Sequence, residues 1–248
     1  MIAKILLFGL VVSLAEILGG VLLVYRRRWK QRTQEILLAL GAGFILALVF
    51  LNLIPASYQT LGQSAAIYML IGFSVLHFFE HTVVGHLHFG EETHTHVMVS
   101  RVASLSAVTG LFIHAFFDGF SISIGMQFNF LLGLLIFIAV LLHKIPEGLT
   151  IASIMMSATF ARRKVLYAIF GIGASTLLGV VAALTFSTVS AHLTGMALAF
   201  SAGTIVYVGA SDLIPEINKS KDRIPPLVVF AGIVLYYFSE RLLEGLVR

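Results

Sequence analysis

Residues 111–150 decide the fold of this chain and read LFIHAFFDGFSISIGMQFNFLLGLLIFIAVLLHKIPEGLT. They contain one pattern twice, a histidine, an acid four residues later and a glycine directly after: His114, Asp118 and Gly119, then His143, Glu147 and Gly148. Because four residues make about one helical turn, each histidine shares a helix face with its acid. Two such helices side by side would bring two imidazoles and two carboxylates to one point, a ligand set suited to a divalent transition metal.

The composition places nearly all of the chain in or beside a lipid bilayer. Hydrophobic residues make up 58% of the 248 residues, charged residues only 11%, and the mean hydropathy is +0.99. A soluble domain has about 25% charged residues. The chain has no cysteine, which excludes disulfides and thiolate metal sites. The first apolar run is too long for the core of a signal peptide, so we expect a retained transmembrane helix.

Eight apolar runs are long enough to cross a bilayer, which takes about 20 helical residues. We therefore predict an all-α membrane protein whose residues 1–248 form a single transmembrane domain. The predicted spans cover residues 2–25, 36–56, 63–85, 102–127, 130–159, 165–188, 194–216 and 225–247. The short link from Gln127 to Phe130 predicts that the fourth and fifth spans form a tight antiparallel hairpin.

The positive residues alternate between the connections. The first, third, fifth and seventh connections hold twelve of the 16 lysines and arginines, and the even-numbered connections hold none. By the positive-inside rule, the basic connections are cytoplasmic and both termini lie outside. The net charge of +4 therefore reflects topology, and we expect no nucleic-acid partner. We expect the plasma membrane, in bacteria the inner membrane, as the location.

A weak internal repeat relates residues that are 160 positions apart. Asn52-Leu53-Ile54-Pro55 aligns with Asp212-Leu213-Ile214-Pro215, and Gly72 aligns with Gly232. The offset superposes spans 1–3 on spans 6–8, which flank the central hairpin of spans 4 and 5. Since five spans separate each pair, the two triplets cross the membrane in opposite directions, a plan that recurs in secondary transporters. The alternative is chance similarity between glycine-rich apolar helices.

Burying a polar side chain at the centre of a membrane span costs free energy, so such a residue is by default a candidate for a functional site. For a single histidine, a hydrogen bond that joins two helices is an equally good explanation, but the repeated motif favours a site. Lys144 follows His143 and must pair with a carboxylate or lose its proton. Glu16 and Asp118 are the candidate partners, and the ammonium can also stand where a second metal would otherwise bind.

A histidine-rich tract occupies the third connection, residues 86–101, predicted to be cytoplasmic. It contains two acids and four histidines: His86, His88, His94 and His96. Such a composition binds zinc-like ions loosely without folding. We expect an accessory metal site for buffering or sensing, with a merely solvated loop as the alternative.

With eight spans, this histidine-rich loop and the paired motifs, the chain resembles the ZIP (Zrt- and Irt-like) family of metal transporters over essentially its full length. The family's fourth span typically reads His-Asn-x-x-acid-Gly and its fifth His- or Gln-x-x-Pro-Glu-Gly, where this chain has HAFFDG and HKIPEG. The resemblance implies transport of zinc or a similar divalent ion into the cytoplasm. It also implies that the transport site consists of His114, Asp118, His143 and Glu147.

The chain departs from the family where many members bridge a second metal. Those members use the residue after each histidine and an acid in span 6. Here the places hold Ala115 and Lys144, and span 6 offers only Ser175 and Thr176. We therefore expect one transport-site metal, with the Lys144 ammonium in the second position.

The resemblance further implies an elevator-like movement of the metal-bearing bundle against a second bundle. Small residues would give the two bundles a smooth sliding face. The candidates are Gly41 and Gly43 in span 2, set against Gly203 and Gly209 in span 7.

Functions of other classes would use the same metal-binding residues. An intramembrane zinc-dependent hydrolase needs three firm ligands, an activated water and a general base, but the chain has no HExxH motif. A metal sensor would bind without transport, and a channel would conduct without saturating. We expect a transporter and not an enzyme, with a divalent metal ion, the lipid bilayer and a homodimer as the candidate partners.

Overall fold

The computed structural model describes residues 2–26, 31–79, 101–186, 191–220 and 222–247, and these ranges are helical and contain no strand. The all-α prediction is confirmed. The α-helices are α1 Ile2–Arg26, α2 Gln31–Leu48, α3 Ile54–Leu61, α4 Ala65–Phe78, α5 Arg101–Phe128, α6 Phe130–Ser157, α7 Arg162–Phe186, α8 Ala191–Tyr207, α9 Ile214–Asn218 and α10 Ile224–Val247. Two π-helical segments, Val49–Leu53 and Val208–Leu213, and a 3₁₀ turn, Gly62–Ser64, complete the described structure.

Seven stretches of the described chain are long and apolar enough to cross a membrane, which makes the protein a multi-pass integral membrane protein. One of them, Arg32–Phe78, has 47 residues. As a continuous helix it would be about 70 Å long, more than twice the roughly 30 Å hydrocarbon core. The chain turns inside this stretch at Gly62, which has a φ of 58° and a ψ of −142°, a conformation that favours glycine. The turn coincides with the predicted boundary between spans 2 and 3.

The helices form a central group and two flanking pairs. Helices α1, α5, α6 and α7 all contact one another, whereas α2 packs on α10 and α4 packs on α8. The flanking pairs meet the central group where α2 contacts α6 and α8 contacts α5.

The link between α5 and α6 is a single residue, Asn129, and is shorter than the four-residue link predicted from the sequence. The side chain of Asn129 accepts a hydrogen bond of 3.2 Å from the backbone N–H of Leu132 and so caps α6. Helix α6 then continues through Pro146 to Ser157. The predicted hairpin of these two helices is confirmed.

Glycines bring each flanking pair into backbone contact. A Cβ at Gly43 in α2 would overlap the carbonyl oxygen of Val229 in α10, and a Cβ at Gly203 in α8 would overlap that of Met69 in α4. The expectation that Gly43 and Gly203 line a sliding face is therefore wrong, because both are used inside the flanking pairs.

The other two glycines considered for that face differ from each other. A Cβ at Gly41 would lie 3.5 Å from the Cβ atoms of Leu142 and His143, so Gly41 faces α6 across the boundary of the central group. Gly209 instead lies against Ile45 and Leu46 of α2. Gly209 therefore faces span 2 as predicted, whereas Gly41 faces span 5 and not span 7.

Candidate metal centre

The structure brings the four motif side chains, His114, Asp118, His143 and Glu147, together between α5 and α6. One ligand atom from each lies within 4.8 Å of all the others, and each side chain is almost fully buried. Oδ2 of Asp118 lies 3.3 Å from Nε2 of His114 and 3.3 Å from Nε2 of His143. Ligands of a tetrahedral metal with bonds of roughly 2.0 Å are about 3.3 Å apart. The spacing of Asp118 from each of the two histidines therefore suits an ion of the size of zinc.

The glycine that ends each motif brings a further helix against the hairpin. A Cβ at Gly119 would overlap the carbonyl oxygen of Thr176 in α7, and a Cβ at Gly148 would overlap that of Glu16 in α1. The one-turn spacing of histidine and acid thus orients the ligands, and the glycine after the acid closes α7 or α1 over them.

The hydrogen bond of His143 fixes which of its ring nitrogens faces the cluster as a ligand. Nδ1 lies 3.0 Å from the carbonyl oxygen of Ala139, and since a carbonyl oxygen only accepts, Nδ1 carries the hydrogen. In the neutral ring Nε2 then keeps its lone pair. With His143 in that neutral form, Nε2 of His143 and Oδ2 of Asp118 would be two acceptors 3.3 Å apart, and a shared cation would stabilise such a pair.

Lys144 lies inside the same cluster and contacts three carboxylates. Its side chain is fully buried, with Nζ 2.7 Å from Oε2 of Glu147, 2.9 Å from Oδ2 of Asp118 and 3.4 Å from Oε1 of Glu16. The predicted pairing with Glu16 and Asp118 is confirmed, and Glu147 is an additional partner. Two of the four candidate ligands therefore also bind the ammonium.

Two more acids approach the cluster from outside the hairpin. Oε2 of the fully buried Glu16 accepts a hydrogen bond of 3.2 Å from Oγ1 of Thr176. Oδ2 of Asp212, in the second π-helical segment, lies 4.0 Å from Nδ1 of His114. Asp212 was not predicted to lie at the centre; its signal in the sequence was that of an acid in an apolar span, aligned with Asn52 by the repeat.

The accessory histidines predicted for the third connection, His86, His88, His94 and His96, lie outside the residues that the structure describes. The same holds for the predicted loop as far as residue 100.

Comparison with known proteins places the chain in a family. Residues 84–240, well over half of the sequence, match the family described as ZIP Zinc transporter. The chain belongs to the ZIP family. The resemblance indicated by the paired motifs is thereby confirmed, and membership in a transporter family favours a transporter over an enzyme.

The curated relatives are distant members. The zinc transporter ZIP9 of Micropogonias undulatus is 27% identical over 176 residues, which are 65% of this chain and 54% of that protein. ZIP9 of Xenopus tropicalis is 26% identical over 160 residues, 60% of this chain and 52% of that protein. The uncharacterized protein MJ1036 of Methanocaldococcus jannaschii is 27% identical over 202 residues, 79% of this chain and 80% of that protein. This ZIP family chain thus spans about half the length of the ZIP9 relatives it matches.

Proposed function

We propose that this ZIP family member carries a divalent transition metal ion, zinc foremost, into the cytoplasm through one site between α5 and α6. The observation that carries the proposal is the buried group of His114, Asp118, His143 and Glu147, whose ligand atoms converge within 4.8 Å. Histidine and carboxylate ligands suit zinc, iron, manganese, cobalt and cadmium better than Cu(I). The ZIP9 relatives are named zinc transporters, which agrees with this ligand set.

We infer eight membrane spans, because the turn at Gly62 divides the 47-residue stretch into two segments. We also infer that spans 1–3 and 6–8 form an inverted repeat around the hairpin. Residues that are 160 positions apart meet: Ser13 donates a hydrogen bond of 2.8 Å to the carbonyl oxygen of Gly173, and Thr176 donates one to Glu16. Equivalent residues of an inverted repeat are expected to meet where the two-fold axis passes.

Further support for the repeat comes from matching local structure. The π-helical segments Val49–Leu53 and Val208–Leu213 occupy equivalent positions, and each is followed by a proline, Pro55 and Pro215. The contact of Gly43 with Val229 corresponds to that of Gly203 with Met69 at the same offset. Chance similarity of apolar helices would not reproduce contacts of this kind in both halves.

The proposed orientation in the membrane rests on the alternation of charge, and the proposed direction of transport rests on the family resemblance. The positive-inside rule places the basic connections in the cytoplasm and both termini outside the plasma membrane, or the inner membrane of a bacterium. We propose an elevator-type movement of α1, α5, α6 and α7 against the flanking pairs. Gly41 supports it, because it offers α6 a surface without a side chain at the boundary between the groups.

The contacts of Lys144 also bear on how many metal ions the site holds and on the alternative functions, a zinc hydrolase and a metal sensor. The ammonium contacts Asp118 and Glu147, and we infer that it stands where other members hold a second metal, so that the site takes one ion. A zinc hydrolase would need one of these carboxylates as a free general base, and both are in contact with Lys144. A non-transporting sensor differs from the proposed carrier only in flux.

Two peripheral features complete the proposal. The tract at residues 86–101, with His86, His88, His94 and His96, would buffer metal in the cytoplasm as an accessory part of the single transmembrane domain, residues 1–248. A homodimer stays a prediction, and the mass of the protein in lipid nanodiscs tests it.

The test is metal uptake into proteoliposomes that contain the wild type, His143→Ala or Glu147→Ala. Zinc, cadmium, manganese and iron(II) are supplied separately, and bound metal per protein is counted in parallel. We expect saturable uptake with one transport-site ion, lost in both variants and retained in His192→Ala, which removes an exposed histidine of α8. Binding without flux would indicate a sensor or a hydrolase, and flux that survives both changes would make the paired motifs structural.

A further inference from the structure

Glu16 is a fully buried acid that the four-ligand site does not use. It lies on α1, and its two oxygens have separate partners: Oε2 accepts the hydrogen bond of Thr176 at 3.2 Å, and Oε1 faces Nζ of Lys144 at 3.4 Å. Because Thr176 binds Oε2 of Glu16, Oε1 is available to the ammonium of Lys144. A buried carboxylate is costly without a compensating charge, so its place beside the centre requires an explanation.

A bound metal ion and Lys144 would compete for the same atoms. Oδ2 of Asp118 lies 3.3 Å from Nε2 of both histidines, where an ion would use it, and 2.9 Å from Nζ of Lys144. Glu147 gives Oε2 to Lys144, while its buried Oε1 has no hydrogen-bond partner in the part of the chain that the structure describes. An arriving ion would therefore displace the ammonium from Asp118 and find Oε1 of Glu147 available, which leaves Lys144 with Oε2 of Glu147, a ligand of the ion, and with Oε1 of Glu16, which binds no ion.

The charges of Lys144 and of the three carboxylates that it contacts balance for one doubly charged ion. The carboxylates of Glu16, Asp118 and Glu147 and the ammonium of Lys144 together carry a charge of −2 when the imidazoles are neutral. Asp212, 4.0 Å from Nδ1 of His114, lies beyond that ring and is not part of this sum. One divalent cation brings the sum to zero, which matters because a net charge in a buried apolar site is expensive. Without Glu16 the loaded group would carry +1, and without Lys144 it would carry −1.

We propose that Glu16 is a positioning residue that holds the ammonium of Lys144 when a divalent ion occupies Asp118 and Glu147, and that it sets the site to accept one doubly charged ion. The inference rests on the proposed function, since it assumes that the four ligands bind metal. The flexible four-carbon stem of lysine permits the shift, and the close packing of Gly148 on the backbone of Glu16 keeps the carboxylate within reach.

The test compares zinc binding to the wild type, Glu16→Gln, Lys144→Met and the double variant, each purified and checked for folding. Glutamine keeps the oxygen that faces Lys144 and removes the charge, so we expect zinc affinity to fall on the order of tenfold or more. Lys144→Met removes the competing cation, and we expect affinity no weaker than that of the wild type. The double variant restores neutrality with one ion, so its affinity should return to within a few-fold of the wild type.

A loss of zinc affinity in Glu16→Gln without a loss in Lys144→Met distinguishes this role from a purely structural ion pair, because removal of either member of a structural pair would weaken the site. Ser13→Ala, which removes a buried hydrogen bond one turn earlier on α1, is the matched control and should leave zinc affinity unchanged. Wild-type affinity in Glu16→Gln, or a double variant that binds no better than Glu16→Gln, would overturn the inference. If Glu16→Gln does not fold, the double variant decides, because weak zinc binding there would also overturn it. A wild type that binds no zinc would instead refute the proposed function.

Discussion

Gly148 of α6 lies against the backbone carbonyl of Glu16 in α1, with no room between them for a Cβ atom. The residue before it, Glu147, is a candidate metal ligand, and Lys144, one turn earlier, contacts the Glu16 carboxylate. One helix contact therefore sets the position of a ligand and of the charge that compensates it. The candidate centre therefore requires a residue without a side chain at position 148.

We expect Gly148→Ala to lower the free energy of unfolding by about 1–3 kcal/mol, because the new methyl group meets backbone that cannot move aside. Thermal unfolding in detergent measures the effect. Gly171→Ala in α7 is the control, since the nearest atom to a Cβ there is Cε2 of Phe112 at 3.9 Å. Equal stability of the two variants would contradict the packing described for α1 and α6.

Asp118→Asn should remove metal binding more completely than any other single conservative change, because Oδ2 is shared by both histidines and Lys144. We expect the zinc affinity to fall by more than the roughly 10–100-fold that loss of an outer-shell partner costs. Isothermal titration with zinc measures it. Asp222→Asn, at a half-exposed acid that pairs with Arg32, should bind zinc as the wild type does.

Asp212→Asn should have an intermediate effect on zinc affinity. The carboxylate is 4.0 Å from Nδ1 of His114, opposite the nitrogen that faces Asp118, so it acts on the ligand and not on the ion. We expect a loss of roughly tenfold, as for other outer-shell carboxylates. A loss as large as that of Asp118→Asn in the same titration would make Asp212 a direct ligand.

The sequence allowed us to assign to the centre mainly those residues that share one face of a single helix. The spacing of His114 to Asp118 and of His143 to Glu147 identified the four side chains, since residues one turn apart share a face. Glu16 could be named as a partner of Lys144 because a buried ammonium needs a carboxylate. That three carboxylates share it, and that Asp212 faces His114, depends on how helices rotate against one another, which no spacing along one helix encodes.

The glycines show the same limit. A small residue in an apolar helix indicates close packing, but the partner helix is set by the three-dimensional arrangement. Gly43 and Gly203 were assigned to a sliding face and instead hold α2 against α10 and α8 against α4. The π-helical segments were not predicted, because a widened turn leaves no signal in hydrophobic periodicity.

The topology can be tested directly because the chain has no native cysteine. In intact cells, a membrane-impermeant maleimide should label Gln63→Cys, beside the turn at Gly62, and should not label Ala161→Cys until the membrane is opened; both positions are exposed. The reverse pattern would invert the proposed orientation. Protection of both positions would argue against a surface turn at Gly62 and hence against eight spans.

Replacing His86, His88, His94 and His96 together by alanine should leave uptake intact and weaken metal binding on the cytoplasmic side. The reason is that these residues belong to a connection outside the apolar spans and not to the four-ligand group. Uptake in proteoliposomes and zinc titration of the purified protein measure the two effects. Loss of transport in a correctly inserted variant would show that the loop is part of the pathway.

The one-residue link at Asn129 couples the movement of α5 to that of α6. Since one capped residue joins α5 and α6, neither helix can shift by a 5.4 Å turn past the other without losing the cap. In the proposed elevator movement, both halves of the candidate coordination sphere would therefore travel as one piece, and the ion would keep the same neighbours from entry to release. The choice of metal would then be made once, at loading, whereas the rate of passage would be set by surfaces that never touch the ion.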